Sequence, residues 1–507
     1  MNLRILGAAL ALAVATNAVA DVKPHALFSD GMVLQQGMKV NVWGQADDGE
    51  MILVRYRGQE ALTTARGGNW KVQLGPFQPG PSDTLTIHGR NTIEIKDVVV
   101  GEVWVASGQS NMEWPVVASE NGAEEAKLAN LPDVRLFTVP KNVQAKPIGA
   151  VRSNWLPCTP KSVLGFSAVG YYFGRKLQWE LNVPVGIIHT SWGGTPAEAW
   201  TSREALAANP RLKAELLDPF DHAVANPPPP PKEEPGKKRR NQPGVNQNSP
   251  TTLYNGMIAP IKNYAIRGAI WYQGESNASR ADQYRVLFPA MIECWRKEWN
   301  QGNFPFYFVQ LAPFKSGVAW AELRESQRET AHKLQNAAQA VITDIDVGDP
   351  RDIHPKKKRE VGERLAAIAL VDVYNRKGEG RGPDVKGQRV EGSSIVLEFD
   401  HVGRGLVVHG DKLRGFTIAA EDQKFVPAEA KLAANKVAVS SSGVAKPVAV
   451  RYDWTDVPDG NLFNADGFPT TPFRTDSFAF VTAPKAPAPS PSANPPKAAA
   501  KPVGAEK

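Results

Sequence analysis

Apolar and polar positions change rhythm twice along the chain. From Asp21 to about Val100 short runs alternate with a period of two ("KVNVWGQ", "MILVRYRGQ", "NWKVQLG", "DTLTIHG", "NTIEIKDVVV") and are cut by turn pairs such as Asp48-Gly49 and Gly67-Gly68. Successive side chains of a strand point to opposite faces, so this pattern predicts a small antiparallel β-sandwich over 21–100. From Gly101 onward the apolar runs become continuous, as in "VWVA", "VGIIHT", "GAIWYQ", "FYFVQL" and "AVITD". Stretches of helical period separate most of them, near 166–181, 281–299 and 322–335, and another follows near 355–373. Strands buried on both faces and alternating with helices predict an α/β domain over 101–385, a parallel sheet between two helical layers. Alternating strands return over 386–483 ("SSIVLEF", "RGLVVHG", "KVAVSSS", "PVAVRYDW"), a second β-rich region.

Composition refines this picture at the edges. Residues 1–20, "MNLRILGAALALAVATNAVA", join an early Arg4 to an apolar centre and a small-residue exit, the pattern of a secretory signal peptide. The expected location is therefore periplasmic or extracellular, and no later run is long enough to span a bilayer. An oxidising compartment permits a disulfide between Cys158 and Cys294, the only cysteines. The formal charge of +7 is concentrated in a Pro/Lys-rich insertion at 220–250, in "HPKKKRE" and in an Ala/Pro-rich tail at 484–507 that reads as disordered. These are solvated segments, not a basic face, so nucleic acid is not an expected partner. No C-x-x-C or H-E-x-x-H is present, and neither a metal nor another cofactor is expected. Nothing in the sequence fixes the oligomeric state.

Ligands of open parallel sheets bind beyond the carboxyl ends of the strands. Those ends carry "SGQSNM", "SWGGTPAEAW", "GESNAS" and "DIDVGDPRDIHP", which together offer a serine, a Gly-Gly turn, a Gln/Glu/Asn cluster and an Asp/His pair. That is the inventory of an acyl-transfer site. Ser110 lacks the G-x-S-x-G of a nucleophile elbow, and alone it reads equally as a helix N-cap. Pro355 at a first helical position would likewise leave His354 a residue of the cap without chemistry. His189, in an apolar strand, reads as a satisfied core residue, and His222 as a residue of the insertion's entrance. Of Trp114, Trp192, Trp200, Trp271 and Tyr272, two are expected to touch substrate and the rest to fill the core.

Taken together, "GQSNMEW", "SWGGTPAEAW", "WYQGESNA" and "DIHPKKKREVGERLA" resemble successive blocks of the bacterial sialate O-acetylesterases, carbohydrate esterases of the SGNH-hydrolase superfamily. "HALFSDGMVLQQ" and "NLFNADGFPTTPFRTD" resemble that family's flanking segments. The resemblance covers nearly the whole chain between leader and tail. It implies an SGNH-type three-layer α/β/α domain and a metal-free serine esterase acting on an O-acetylated glycan through an acetyl-enzyme. Ser110 would be the nucleophile and His354 the general base. Backbone N–H groups of Ser110 and the Gly193-Gly194 turn would face the oxyanion, with Gln273 as an amide donor. Gln109, Glu275 and Asn277 complete the oxyanion and substrate-binding set. Many SGNH hydrolases use Asp-x-x-His, a spacing that falls here on Arg351; Asp352 is the carboxylate at hand, with Asp349 and Glu275 as alternatives.

Acetylated sialic acid and acetylxylan or another acetylated polysaccharide remain open as substrates. A glycoside hydrolase pairing Glu275 with Asp346 or Asp349 would leave Ser110, Gln109 and the Gly-Gly turn without roles. A non-catalytic carbohydrate-binding protein is the reading outside enzymes.

Overall fold

The computed structural model describes residues 21–227, 245–317, 319–345 and 348–484. The expected leader, most of the Pro/Lys-rich insertion and nearly all of the tail lie outside these residues, as does Asp346.

The central sheet has the order Trp155–Cys158, Leu131–Thr138, Val185–Ser191, Thr92–Gly108, Gly268–Tyr272, Phe306–Val309, Ala337–Ala340. All neighbours are parallel except the first pair, so Trp155–Cys158 is an antiparallel edge. Side chains alternate across the sheet and build two cores. Val103 and Val105 face one side with Trp271, Phe306 and the helix Ala281–Trp299, whose Leu287, Phe288 and Met291 are fully buried. Trp104 and Ala106 face the other with Ile187, Ile270 and two packed helices, Ala168–Leu181 and Lys358–Asp372. Those helices approach closely because Gly362 has no side chain; a Cβ there would lie 2.8 Å from both Tyr172 Cβ and the Val169 carbonyl oxygen. The helix Trp320–Lys333 packs against Ala281–Trp299.

The strand Thr92–Gly108 joins this sheet to the N-terminal region. Its first part pairs antiparallel with Asp83–His88, its middle pairs with Val33–Gln35, and from Glu102 it is the centre of the parallel sheet. The expected boundary at residue 100 therefore falls inside one continuous strand. A separate three-stranded sheet, Lys23–Pro24, Val40–Gln45 and Asn69–Leu74, adds its apolar side chains to the same core.

The C-terminal region starts with Asp384–Glu391 and contains two four-stranded sheets around Ile395, Leu397, Ile418, Val437 and Tyr452. It is pinned to the α/β domain by Arg324, fully buried, whose guanidinium donates to the carbonyls of Leu311, Ala312, Thr455 and Asp456. The loop that Arg324 fixes continues to Lys315, whose N–H donates to the Pro350 carbonyl at 2.7 Å. Cys158 and Cys294 are both free and buried in different cores, so the permitted disulfide does not form.

Candidate active site

The strand Thr92–Gly108 ends at Gly108, where φ is +138° and an added Cβ would lie 2.1 Å from the Tyr272 carbonyl oxygen. Only glycine lets two adjacent strands close this tightly and turn at once. The chain then enters the short helix Ser110–Glu113. The N–H groups of Gln109, Met112 and Glu113 have backbone partners, whereas those of Ser110 and Asn111 head the first turn, where no intrahelical carbonyl reaches them.

Ser110 Oγ lies 2.8 Å from His354 Nε2, although 244 residues separate them. His354 belongs to the loop ahead of the helix Lys358–Asp372, so Pro355 is not its first residue and the capping role does not arise. The imidazole stacks on Trp114, with centroids 5.0 Å apart and planes at 22°. Burial, reinforced by the nearby Lys358 ammonium and opposed by Asp352, holds His354 below its ordinary range. A neutral imidazole in hydrogen-bond contact with a hydroxyl is the arrangement general-base catalysis needs.

The carboxylates divide clearly. Asp352 Oδ1 accepts the backbone N–H of His354 at 2.9 Å and lies 3.7 Å from Nδ1, near enough to interact with the ring but not hydrogen-bonded to it. Asp349 is taken up by the exposed Arg351, to which it is chelated at 2.8–3.2 Å. Glu275 accepts from Asn111 Nδ2 at 2.6 Å, and its Oε2 is buried without a partner. Neither of the two alternatives is hydrogen-bonded to His354: Glu275 serves Asn111 and Asp349 serves Arg351.

Gly193 lies against Ser110: a Cβ there would be 3.3 Å from Ser110 Cβ. Its N–H donates to Glu113 Oε2 at 2.6 Å, and Glu113 in turn pairs with Lys141, whose ammonium sits 5.3 Å from the centroid of Trp192. Gly194 supplies the left-handed turn, with φ of +72°. Gln273 departs from expectation. Its amide donates both protons internally, to Asn277 Oδ1 at 2.7 Å and to the Thr195 carbonyl at 3.3 Å, and its oxygen accepts from Tyr284. It cannot also serve an oxyanion, and it works as a buried strut. Asn277 extends that strut, accepting from Ala197 N and donating to Glu198, so the third block holds the Gly-Gly loop in place. Gln109 accepts from Ser276 N at 3.3 Å and ties the first block to the third.

A cavity of about 490 Å³ opens over the Ser110/His354 pair and is lined also by Trp114, Lys141, His189 and Ser191. His189 is thus more than core filling. Its Nε2 contacts Ser191 Oγ at 2.6 Å, its Nδ1 has no partner, and burial pushes it down to about 4, leaving it neutral. His222 is exposed on the helix Asp218–Ala225. Trp200, Trp271 and Tyr272 are wholly buried, which leaves Trp114 and Trp192 partly exposed at the site.

A model of the carbohydrate esterase family described as sialic acid-specific acetylesterase matches residues 238–371. The rat sialate O-acetylesterase is 31% identical over 469 residues, covering 82% of this chain and 86% of that protein. The chain belongs to the sialate O-acetylesterase family. The human sialate O-acetylesterase is 32% identical over 392 residues, 69% of this chain and 70% of its own length. The crystal structure of a carbohydrate acetylesterase from Xanthomonas citri matches 90% of this chain and all of its own at 38% identity, with a TM-score of 0.80. Membership in this family agrees with a site that offers a hydroxyl, a neutral imidazole and backbone donors.

Four residues near the reacting atoms had no assigned role from sequence: Asn111, Glu113, Lys141 and Lys358. Lys358 was legible in principle. Positions 358, 361, 365 and 368 form one helical stripe, and Val361, Leu365 and Ile368 are fully buried, so the lysine lies on the inward face.

Proposed function

We propose that the protein is a secreted serine esterase that removes O-acetyl groups from carbohydrates, sialic acid or a polysaccharide being the acetylated sugar. The 2.8 Å contact between Ser110 Oγ and His354 Nε2 carries this reading, with family membership as its independent support. Ser110 Oγ attacks the acetyl carbonyl carbon while its proton passes to His354 Nε2. The carbonyl oxygen becomes an anion, which the N–H of Ser110 stabilises; the neighbouring Gly193 N–H is held by Glu113 Oε2. Collapse breaks the bond to the sugar oxygen, which leaves with the proton from His354. Water, deprotonated by the same imidazole, then releases acetate and restores Ser110. The leader-like residues 1–20 support secretion, and no helix among the described residues is long and apolar enough to cross a membrane.

Acetate release from a panel of O-acetylated sialic acids, xylans and other acetylated glycans tests the proposal and selects the substrate. An absence of acetate from every member, with a folded protein, would overturn it.

A further inference from the structure

A buried cation lies behind the reacting pair. Lys358 is fully enclosed, its ammonium 5.3 Å from the centroid of Tyr272 and 5.7 Å from that of Trp114, the ring on which His354 stacks. It donates to Asn111 Oδ1. An ammonium has only protons to offer, so this bond fixes which way the Asn111 amide faces. The amide nitrogen is thereby turned to Glu275 Oε1 at 2.6 Å and to the Ile353 carbonyl at 3.0 Å. Asn111 directly follows the nucleophile and Ile353 directly precedes the base. One oriented amide therefore sets the backbone of both reacting residues.

Resting on the Ser110/His354 reading, we propose that Lys358 is a positioning residue for the general base: it locks the Asn111 amide and sets a positive charge behind the Trp114/His354 stack, where it opposes a second charge on the imidazole. Several other charges face this region. Asp352 lies on the base's own loop, Glu275 beyond Asn111, and the Glu113–Lys141 pair and neutral His189 line the cavity side. Asp352 and Glu275 oppose the lysine, which burial brings down to about 7 despite them. Burial holds Glu275 up as well, with Asn111 and Lys358 pulling against it.

Lys358→Met and Lys358→Gln in the full chain, each confirmed folded by circular dichroism, test the proposal through the pH dependence of kcat/KM on 4-nitrophenyl acetate. Removing the cation stabilises the imidazolium. The acid limb should move to higher pH by about half a unit to one unit, so activity at pH 5 falls about 3–10-fold further than activity on the plateau. A merely structural lysine would lower the plateau and leave the limb in place, and that result in both variants overturns the proposal. Should neither variant fold, wild-type NMR decides. The His354 Cε1–H resonance should show a second inflection at the pH where a buried lysine titrates, and a single inflection overturns the proposal. Retained turnover in Ser110→Ala would instead sink the underlying reading, independently of where the limb lies.

Discussion

Replacing Asp352 with Asn measures how much of the base's orientation depends on charge. Asp352 Oδ1 accepts the His354 N–H at 2.9 Å, and an Asn oxygen can do the same, so the loop should keep its shape. What disappears is the attraction between the carboxylate and the imidazolium formed in the transition state, across 3.7 Å. Two unit charges at that separation interact by about 1 kcal/mol in water and about 4.5 kcal/mol at an effective dielectric of 20. The Asp352 side chain is 45% exposed, which puts the contribution in the lower part of that interval, about 1–2 kcal/mol. Turnover should therefore fall about 5–30-fold, far short of the roughly 10⁴-fold lost when a buried, hydrogen-bonded triad aspartate is replaced. Steady-state kinetics on 4-nitrophenyl acetate at pH 8 gives the number, with circular dichroism confirming the fold. Asp349→Asn serves as the control and should change turnover less than twofold, because that carboxylate serves Arg351. A loss of 10³ or more in Asp352→Asn would refute the reasoning, since it would require a direct carboxylate–Nδ1 bond in the working enzyme. No loss at all would refute it equally.

Ser110→Ala should lower turnover to a few per cent of wild type or less while sugar affinity, read by calorimetry, stays largely intact. Glu113→Ala releases the Gly193 N–H toward the oxyanion and should raise kcat/KM for small acetyl esters about 2–10-fold; a lowered kcat/KM would show that Glu113 itself assists the reaction. Gly108→Ala would force a Cβ to 2.1 Å from the Tyr272 carbonyl oxygen at a φ of +138°. It should destabilise the fold by about 2–4 kcal/mol, seen as a lowered midpoint in scanning calorimetry, and an unchanged midpoint would mean that the strand ends separate freely.

The legible parts of the fold were those with an unambiguous period. Continuous apolar runs such as "VGIIHT" and "GAIWYQ" form parallel strands, and the helices near 166–181 and 281–299 lie almost where their spacing puts them. Two strands of the central sheet escaped because their residues argue against strands. Leu131–Thr138 contains Pro132, Asp133 and Arg135, and Arg135 is tolerated because Asp97 and the Pro132 carbonyl meet its guanidinium. Trp155–Cys158 contains Pro157, acceptable only because the strand is an edge. At the site, residue type and strand-end position sufficed to name Ser110 and His354 as candidates, and the fold brings the two within 2.8 Å of each other. They could not separate an amide that faces substrate from one such as Gln273, whose protons are engaged inside the protein. Nor could they single out Lys358 within four consecutive basic residues; only the helical stripe it shares with Val361, Leu365 and Ile368 sets it apart from Lys356 and Lys357.

The strand Thr92–Gly108 bears on how this protein can be taken apart. A chain whose domains are strung on linkers can be trimmed or recombined at the joints. Here the peptide bond after Val100 is the spine of two sheets at once, and a cut there would strip backbone partners from the N-terminal layer and from the strand that carries Ser110. The N-terminal sheets are consequently tied by backbone pairing to the strand that ends beside Ser110. A swap of that region between relatives can succeed only when the crossover falls beyond Gly108, with the nucleophile's strand travelling as part of the exchanged piece.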